Sequence, residues 1–155
     1  MQSSVHRKTN SAHRRRPSQP KRVYEASFAS RIDGVEPQVQ QILNVLGQCG
    51  CTDGCRSSIE IALREALHNA VLHGNGANPR KRVRVECYEQ PDKSLLFVIR
   101  DSGRGFDPAS VPDPTKAENL LRETGRGLFM IRHYMDNVEF CCGGREIRMS
   151  KNRGA

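Results

Sequence analysis

Residues 59–74 read IEIALREALHNAVLHG, and this stretch decides the fold. Its apolar side chains recur three and four positions apart, which is the spacing of a helix with one buried face. We therefore expect a helix from about Arg56 to His73, with Gly74 capping its C-terminus. The apolar stripe of this helix consists of Ile59, Ala62, Leu63, Ala66, Ala70 and Val71.

Strand and helix patterns flank this helix on both sides. The predicted strands span residues 23–30, 83–87, 95–99, 138–142 and 146–149, and two further helices span residues 37–46 and 127–135. A short helical stretch is predicted near residues 118–122, inside a long irregular segment. The order β-α-α-β-β-α-β-β predicts an α/β fold, an α+β two-layer sandwich with a mixed, mostly antiparallel sheet and its helices on one face.

Positive charge is concentrated at the N-terminus. The chain has 155 residues and a net charge of +8, and residues 1–22 contain seven basic and no acidic side chains. We expect residues 1–22 to form a disordered basic arm, residues 23–150 one domain, and residues 151–155 a tail. The domain is nearly neutral, which does not favour direct binding of nucleic acid. No long apolar run and no N-terminal apolar region is present, so we expect a cytoplasmic protein without membrane contact.

Three of the six cysteines, Cys49, Cys51 and Cys55, lie close together in the sequence. They lack the paired CxxC spacing of structural zinc sites, and no second pair lies nearby. We expect free thiols, with a metal or redox role as the minor alternative.

Glu65 and Asn69 are the first candidate site residues. They are four positions apart on the predicted helix, so they project side by side at the edge of its buried stripe. An Asn carbonyl oxygen can ligate a hard cation such as Mg²⁺, and a Glu one turn earlier can accept a proton. Taken alone, the pair also fits a polar helix edge with ordinary hydrogen bonds.

Two glycine-containing segments supply the other candidates. Asp101 ends the apolar strand, where its carboxylate can accept a hydrogen bond from a purine amino group, while Gly103 and Gly105 let the backbone approach a planar ring. The second segment, Gly125-Arg126-Gly127-Leu128, leads into a helix whose N-terminus favours phosphate. Arg126 and Lys116 can add positive charge for a triphosphate.

The order and spacing of these segments resemble the Bergerat-fold (GHKL) ATPases and kinases, the superfamily of gyrase B, Hsp90, histidine kinases and MutL. Residues 63–74 resemble the N box, residues 101–106 the first glycine box and residues 125–128 the second. Within that superfamily, residues 106–136 are similar to the serine-protein kinases that act as anti-sigma factors.

This resemblance implies an ATP- and Mg²⁺-dependent serine/threonine-protein kinase. Its substrate would be an anti-sigma-factor antagonist, its sequestered target a sigma factor, and its usual state a homodimer. Glu65 would be the general base, Asn69 the Mg²⁺ ligand and Asp101 the residue that reads adenine. Gly103 and Gly105 would line the adenine pocket, Gly125, Arg126 and Gly127 would contact the phosphates, and residues 105–125 would form a lid.

Two alternatives remain open at this point. One is a partner-switching module that binds ATP without turnover. The other is an isolated catalytic domain of the histidine-kinase type, which would need its phosphoacceptor on a separate protein.

Overall fold

The computed structural model describes residues 19–50, 54–110, 115–116 and 125–153. Within these ranges, five strands and three α-helices follow one another in the order expected from the sequence. The strands are β1 (Lys21–Ala29), β2 (Arg82–Glu89), β3 (Leu95–Arg100), β4 (Asn137–Cys141) and β5 (Glu146–Lys151). The helices are α1 (Val35–Gln48), α2 (Arg56–Asn69) and α3 (Arg126–Tyr134). None of the described helices combines the length and apolar character needed to cross a bilayer.

The five strands form one sheet in the order β1-β2-β3-β5-β4. The sequence predicts a mixed, mostly antiparallel sheet, whereas every pairing between the described strands is antiparallel. In the central ladder, Arg100 lies opposite Glu146. The end of β3 and the start of β5 therefore meet at one edge of the sheet, which brings Asp101 next to the turn before β5.

The hydrophobic core lies between this sheet and the helices. The inward positions of β2 alternate with exposed or half-buried ones, and Val83, Val85 and Cys87 are completely buried. All six residues of the predicted stripe on the second helix are buried as well, which confirms that prediction. Since Cys87 lies deep in this core, burial strongly raises the pKa of its thiol.

The C-terminal end of α2 differs from the prediction. The helix continues as a π-helical turn, Ala70–Gly74, and the N–H of Asn75 donates to the carbonyl of Ala70 at 2.9 Å. Gly74 does not adopt the left-handed conformation of a capping glycine; Gly76, with φ +63°, does. The prediction that Gly74 caps the helix is therefore wrong, and the reason for a glycine there is its contact with Asp101, described below.

The first and last strands extend slightly beyond the predicted limits of the domain. Strand β1 begins at Lys21, inside the predicted arm, because Lys21 pairs with Glu89 of β2 and Arg22 forms an ion pair with Glu25 at 2.7 Å. Strand β5 extends to Lys151, the first residue of the predicted tail. The predicted helical stretch at residues 118–122, most of the lid, most of the arm, and Cys51 lie outside the described residues.

Candidate functional site

An open cleft lies where the C-terminal end of α2, the end of β3 and the start of β5 meet. Three of the predicted site residues, Asn69, Asp101 and Gly105, line the cleft. The other lining residues are Ala66, Ala70, His73, Gly74, Ile99, Phe106, Phe140, Gly144, Arg145 and Ile147. The apolar members suit the faces of a planar ring, and Asp101 supplies a polar group at its edge.

Asp101 is held firmly at the end of β3. Its backbone N–H donates to the carbonyl of Arg145 at 2.9 Å, and its side-chain Oδ1 accepts from the N–H of Gly103 at 2.7 Å. Burial raises the pKa of Asp101 above its ordinary value, although the Gly103 N–H and the charges of Arg145 and Lys81 act in the opposite direction. A half-buried carboxylate in the wall of a cleft is well suited to accept a hydrogen bond from an amino group.

Glycine is required around Asp101 because two backbone segments approach each other closely. A Cβ on Gly74 would lie 2.3 Å from Asp101 Oδ2, and a Cβ on Gly103 would lie 1.8 Å from the carbonyl oxygen of Gly74. Gly105 has φ +80°, and its Cβ would lie 1.9 Å from the carbonyl oxygen of Gly143. The first glycine segment thus packs directly against the end of α2 and the turn before β5, with no side chain between them.

The second glycine segment meets the Glu65–Asn69 pair. Helix α3 starts after Gly125, which has φ +94°. A Cβ on the next glycine, Gly127, would lie 2.8 Å from Glu65 Oε2 and 3.4 Å from the amide atoms of Asn69. The first turn of α3 therefore lies beside the half-buried Glu65 and Asn69, and a helix N-terminus favours an anionic group such as a phosphate.

The remaining predicted site residues do not line the cleft. Arg126 is exposed at the first position of α3, whereas Leu128 is buried, at 8% exposure. Lys116 is exposed and is not among the residues that line the cleft. The residues that flank Lys116 on both sides, 111–114 and 117–124, are outside the described part of the chain.

The side chains of Glu65 and Asn69 are available for a ligand. Within the described residues, neither of them makes a hydrogen bond or ion pair with another side chain or the backbone. The described residues also contain no group of three or more His, Cys, Asp or Glu side chains that could hold a metal ion. Cys49 and Cys55 are among the residues to which this applies. A single Asn oxygen at the cleft wall fits a Mg²⁺ ion that is otherwise held by phosphate oxygens and water.

Several residues of the cleft are not among the site residues predicted from the sequence. His73 and Arg145 line it, and Arg145 is oriented by donation from its Nε to the carbonyl of Cys142 at 3.0 Å. Asn75 lies behind the cleft, only 3% exposed, and contacts the Asp101 loop. The polar pair Asn75-Gly76 directly after a helix is a recognisable turn signal, but nothing in the local sequence reveals the long-range partners of these residues.

Comparison with known proteins agrees with this geometry. Residues 28–151 match the histidine kinase-like ATPase domain family. The chain is 31% identical over 136 residues to the anti-sigma F factor of Oceanobacillus iheyensis. The aligned region covers 84% of this chain and 80% of that protein.

The chain also matches serine-protein kinases named RsbW over shorter lengths. The identity is 35% over 85 residues for the kinase of Staphylococcus epidermidis, covering 51% of this chain and 54% of that protein. For the kinase of Staphylococcus aureus strain JH9 it is 33% over 100 residues, covering 61% and 63%. The chain therefore belongs to the histidine kinase-like (GHKL) ATPase family, whose members bind ATP, and within it to the group of anti-sigma-factor kinases.

Proposed function

We propose that this protein is an ATP-dependent serine/threonine-protein kinase that phosphorylates an anti-sigma-factor antagonist. The observation that carries the proposal is the contact of Gly127 with Glu65 and Asn69. This contact places the second glycine segment beside α2, and Asn69 of α2 lines the same cleft as Asp101. The names of two relatives, anti-sigma F factor and serine-protein kinase, support the same activity.

In the proposed complex, the adenine lies in the cleft and its amino group donates to the Asp101 carboxylate. Gly103 and Gly105 border the ring, and the triphosphate extends towards the N-terminus of α3. The backbone N–H groups of that N-terminus, including Gly127, and the positive charges of Arg126 and Lys116 then stabilise the phosphate oxygens. Asn69 would hold Mg²⁺, which would neutralise charge on the phosphates.

Glu65 is the proposed general base. A Ser or Thr hydroxyl of the antagonist attacks the γ-phosphorus, the bond to the bridging oxygen of ADP breaks, and the hydroxyl proton passes to the Glu65 carboxylate. Positioning and charge stabilisation contribute most of the rate in such transfers. The sigma factor and the homodimer implied by the family resemblance belong to the same proposal, with the sigma factor bound by kinase that is not engaged with the antagonist.

Phosphoryl transfer from labelled ATP to antagonist proteins encoded near this gene tests the proposal. The Glu65→Gln variant should keep its affinity for ATP and lose about 10²–10⁴-fold in transfer rate, as expected when a general base is removed. Glu60→Gln is the matched control, because Glu60 lies on the same helix in an ion pair with Arg64 at 2.9 Å. Undiminished transfer by Glu65→Gln would rule out the assigned base.

The same experiment distinguishes the alternatives. Asn69→Ala should abolish Mg²⁺-dependent binding of ATP and transfer together. A wild-type protein that binds ATP but labels no antagonist would instead be a partner-switching module without turnover. Label that appears on a histidine of a partner protein would indicate a catalytic domain of the histidine-kinase type.

A further inference from the structure

Asn75 links three separate segments behind the nucleotide cleft. It follows the π-helical turn and is only 3% exposed. Its side-chain Nδ2 donates to the carbonyl of Arg82, at the start of β2, at 3.0 Å. Its Oδ1 accepts from the backbone N–H of Ser102 at 2.8 Å. Both ends of the amide are therefore used, and each holds a different part of the chain.

The hydrogen bond to Ser102 fixes the residue immediately after Asp101. On one side of this loop, the Asp101 N–H is held by the carbonyl of Arg145 at 2.9 Å. On the other side, the Ser102 N–H is held by Asn75 at 2.8 Å. The Asp101 carboxylate lies between these two anchors, so its direction into the cleft depends on both of them.

The close packing at Gly74 makes this second anchor necessary. The Gly103 backbone lies directly against the carbonyl of Gly74, and the Asp101 carboxylate lies directly against the Cα of Gly74. These are steric contacts, which prevent the loop from moving closer to Gly74 but do not prevent it from moving away. The hydrogen bond of Asn75 is directional and acts against that outward movement.

We propose that Asn75 is a positioning residue that determines base specificity, acting through the Ser102 N–H to aim the Asp101 carboxylate at the amino group of a purine nucleotide. The proposal rests on the proposed function, in which Asp101 reads adenine. Asn is suited to this position because a short side chain must donate to one backbone carbonyl and accept from one N–H at once. An Asp at this position would have no hydrogen to donate to Arg82 and would add a negative charge near Asp101.

The test compares three nucleotides by calorimetry: ATP, inosine triphosphate and purine riboside triphosphate. The latter two lack the 6-amino group that Asp101 is proposed to bind. Wild-type protein should prefer ATP over both, and Asn75→Ala should reduce this preference at least tenfold, mostly through weaker binding of ATP. Ser102→Ala is the matched control, because it keeps the backbone N–H that Asn75 holds and loses only the exposed hydroxyl, with its long 3.5 Å hydrogen bond to the carbonyl of Arg82; its preference should equal that of wild type.

A double-variant cycle separates positioning from general damage. Asp101→Ala alone should abolish the preference, and adding Asn75→Ala should change the ratio no further, because Asn75 acts only through Asp101. Asn75→Ser serves as the second variant if Asn75→Ala does not fold, and it should show the same loss of preference. An Asn75 variant with a lower melting temperature but the wild-type preference for ATP would overturn the role inferred for Asn75 and leave the proposed function standing. Equal binding of all three nucleotides by wild type would overturn the proposed reading of adenine as well.

Discussion

Replacing Gly127 by alanine should make the protein more stable and less active. The new Cβ would lie 2.8 Å from Glu65 Oε2, and an ordinary contact begins at 3.4 Å, so the carboxylate must move by about 0.6 Å. The cost to folding is small, because the displaced atom is the end of a flexible side chain. Alanine in place of glycine in a helix gains roughly 0.5–1 kcal/mol.

A displacement of this size is costly for catalysis. A misplacement of about 1 Å in a catalytic group costs on the order of 10²-fold, so 0.6 Å corresponds to a loss of about tenfold in transfer rate, or about 1.4 kcal/mol. Melting temperature and transfer of phosphate from labelled ATP are the two measurements. Gly47→Ala is the control: Gly47 lies in α1, its nearest neighbour would be Arg56 Nη1 at 3.7 Å, and this variant should gain stability without losing activity. Full activity of Gly127→Ala would refute the described contact, and a melting temperature several degrees lower would refute the expectation that Glu65 moves aside at little cost.

Three further predictions concern stability and reactivity. Gly103→Ala should destabilise the fold by about 1–3 kcal/mol in urea unfolding, since the clash at 1.8 Å is with a backbone carbonyl that cannot swing away; unchanged stability would contradict the close approach of the two segments. Burial alone would raise the pKa of Glu146, but hydrogen bonds from Arg148 and Arg100 outweigh it and lower that pKa. Its stabilising effect is therefore present above the unfolded-state pKa of Glu and is lost as the pH falls through the folded-state pKa. Glu146→Gln should therefore show a shallower decrease in stability than wild type as the pH falls below about 4.5; parallel curves would argue against this linkage. Finally, maleimide should label the exposed Cys142 quickly and the buried Cys87 only on unfolding, as peptide mass mapping can establish; rapid labelling of Cys87 in the native protein would contradict its burial.

Much of the fold follows from local patterns in the sequence. The apolar stripe of α2 and the alternation of β2 indicate directly which side chains are buried. In a strand every second residue faces the core, in a helix every third or fourth residue does, and these positions must be apolar. The wholly antiparallel pairing was not predictable to the same degree. It depends on the placement of β5 between β3 and β4, which is a long-range property.

The candidate site was predictable only in part. Glu65 and Asn69 could be paired from helix geometry, but the contact of Gly127 with both depends on the packing of α3 against α2. Gly74 illustrates the same limit: a glycine after an apolar helix resembles a cap, and only the position of Asp101 reveals its real role. Lys116 remains a prediction, since the described structure shows it exposed and away from the lining of the cleft.

The backbone contact between Gly74 and Gly103 has a practical consequence for anyone who wishes to retarget this protein to another nucleotide. Substitutions at these two glycines are blocked, because even a methyl group at either one meets atoms closer than 2.5 Å away. A library aimed at new base preference should therefore vary the apolar walls, such as Ala70 and Ile147, where side chains rather than main chain define the volume. The Asp101 loop should be kept unchanged, and selectivity should be altered through the side chains around it.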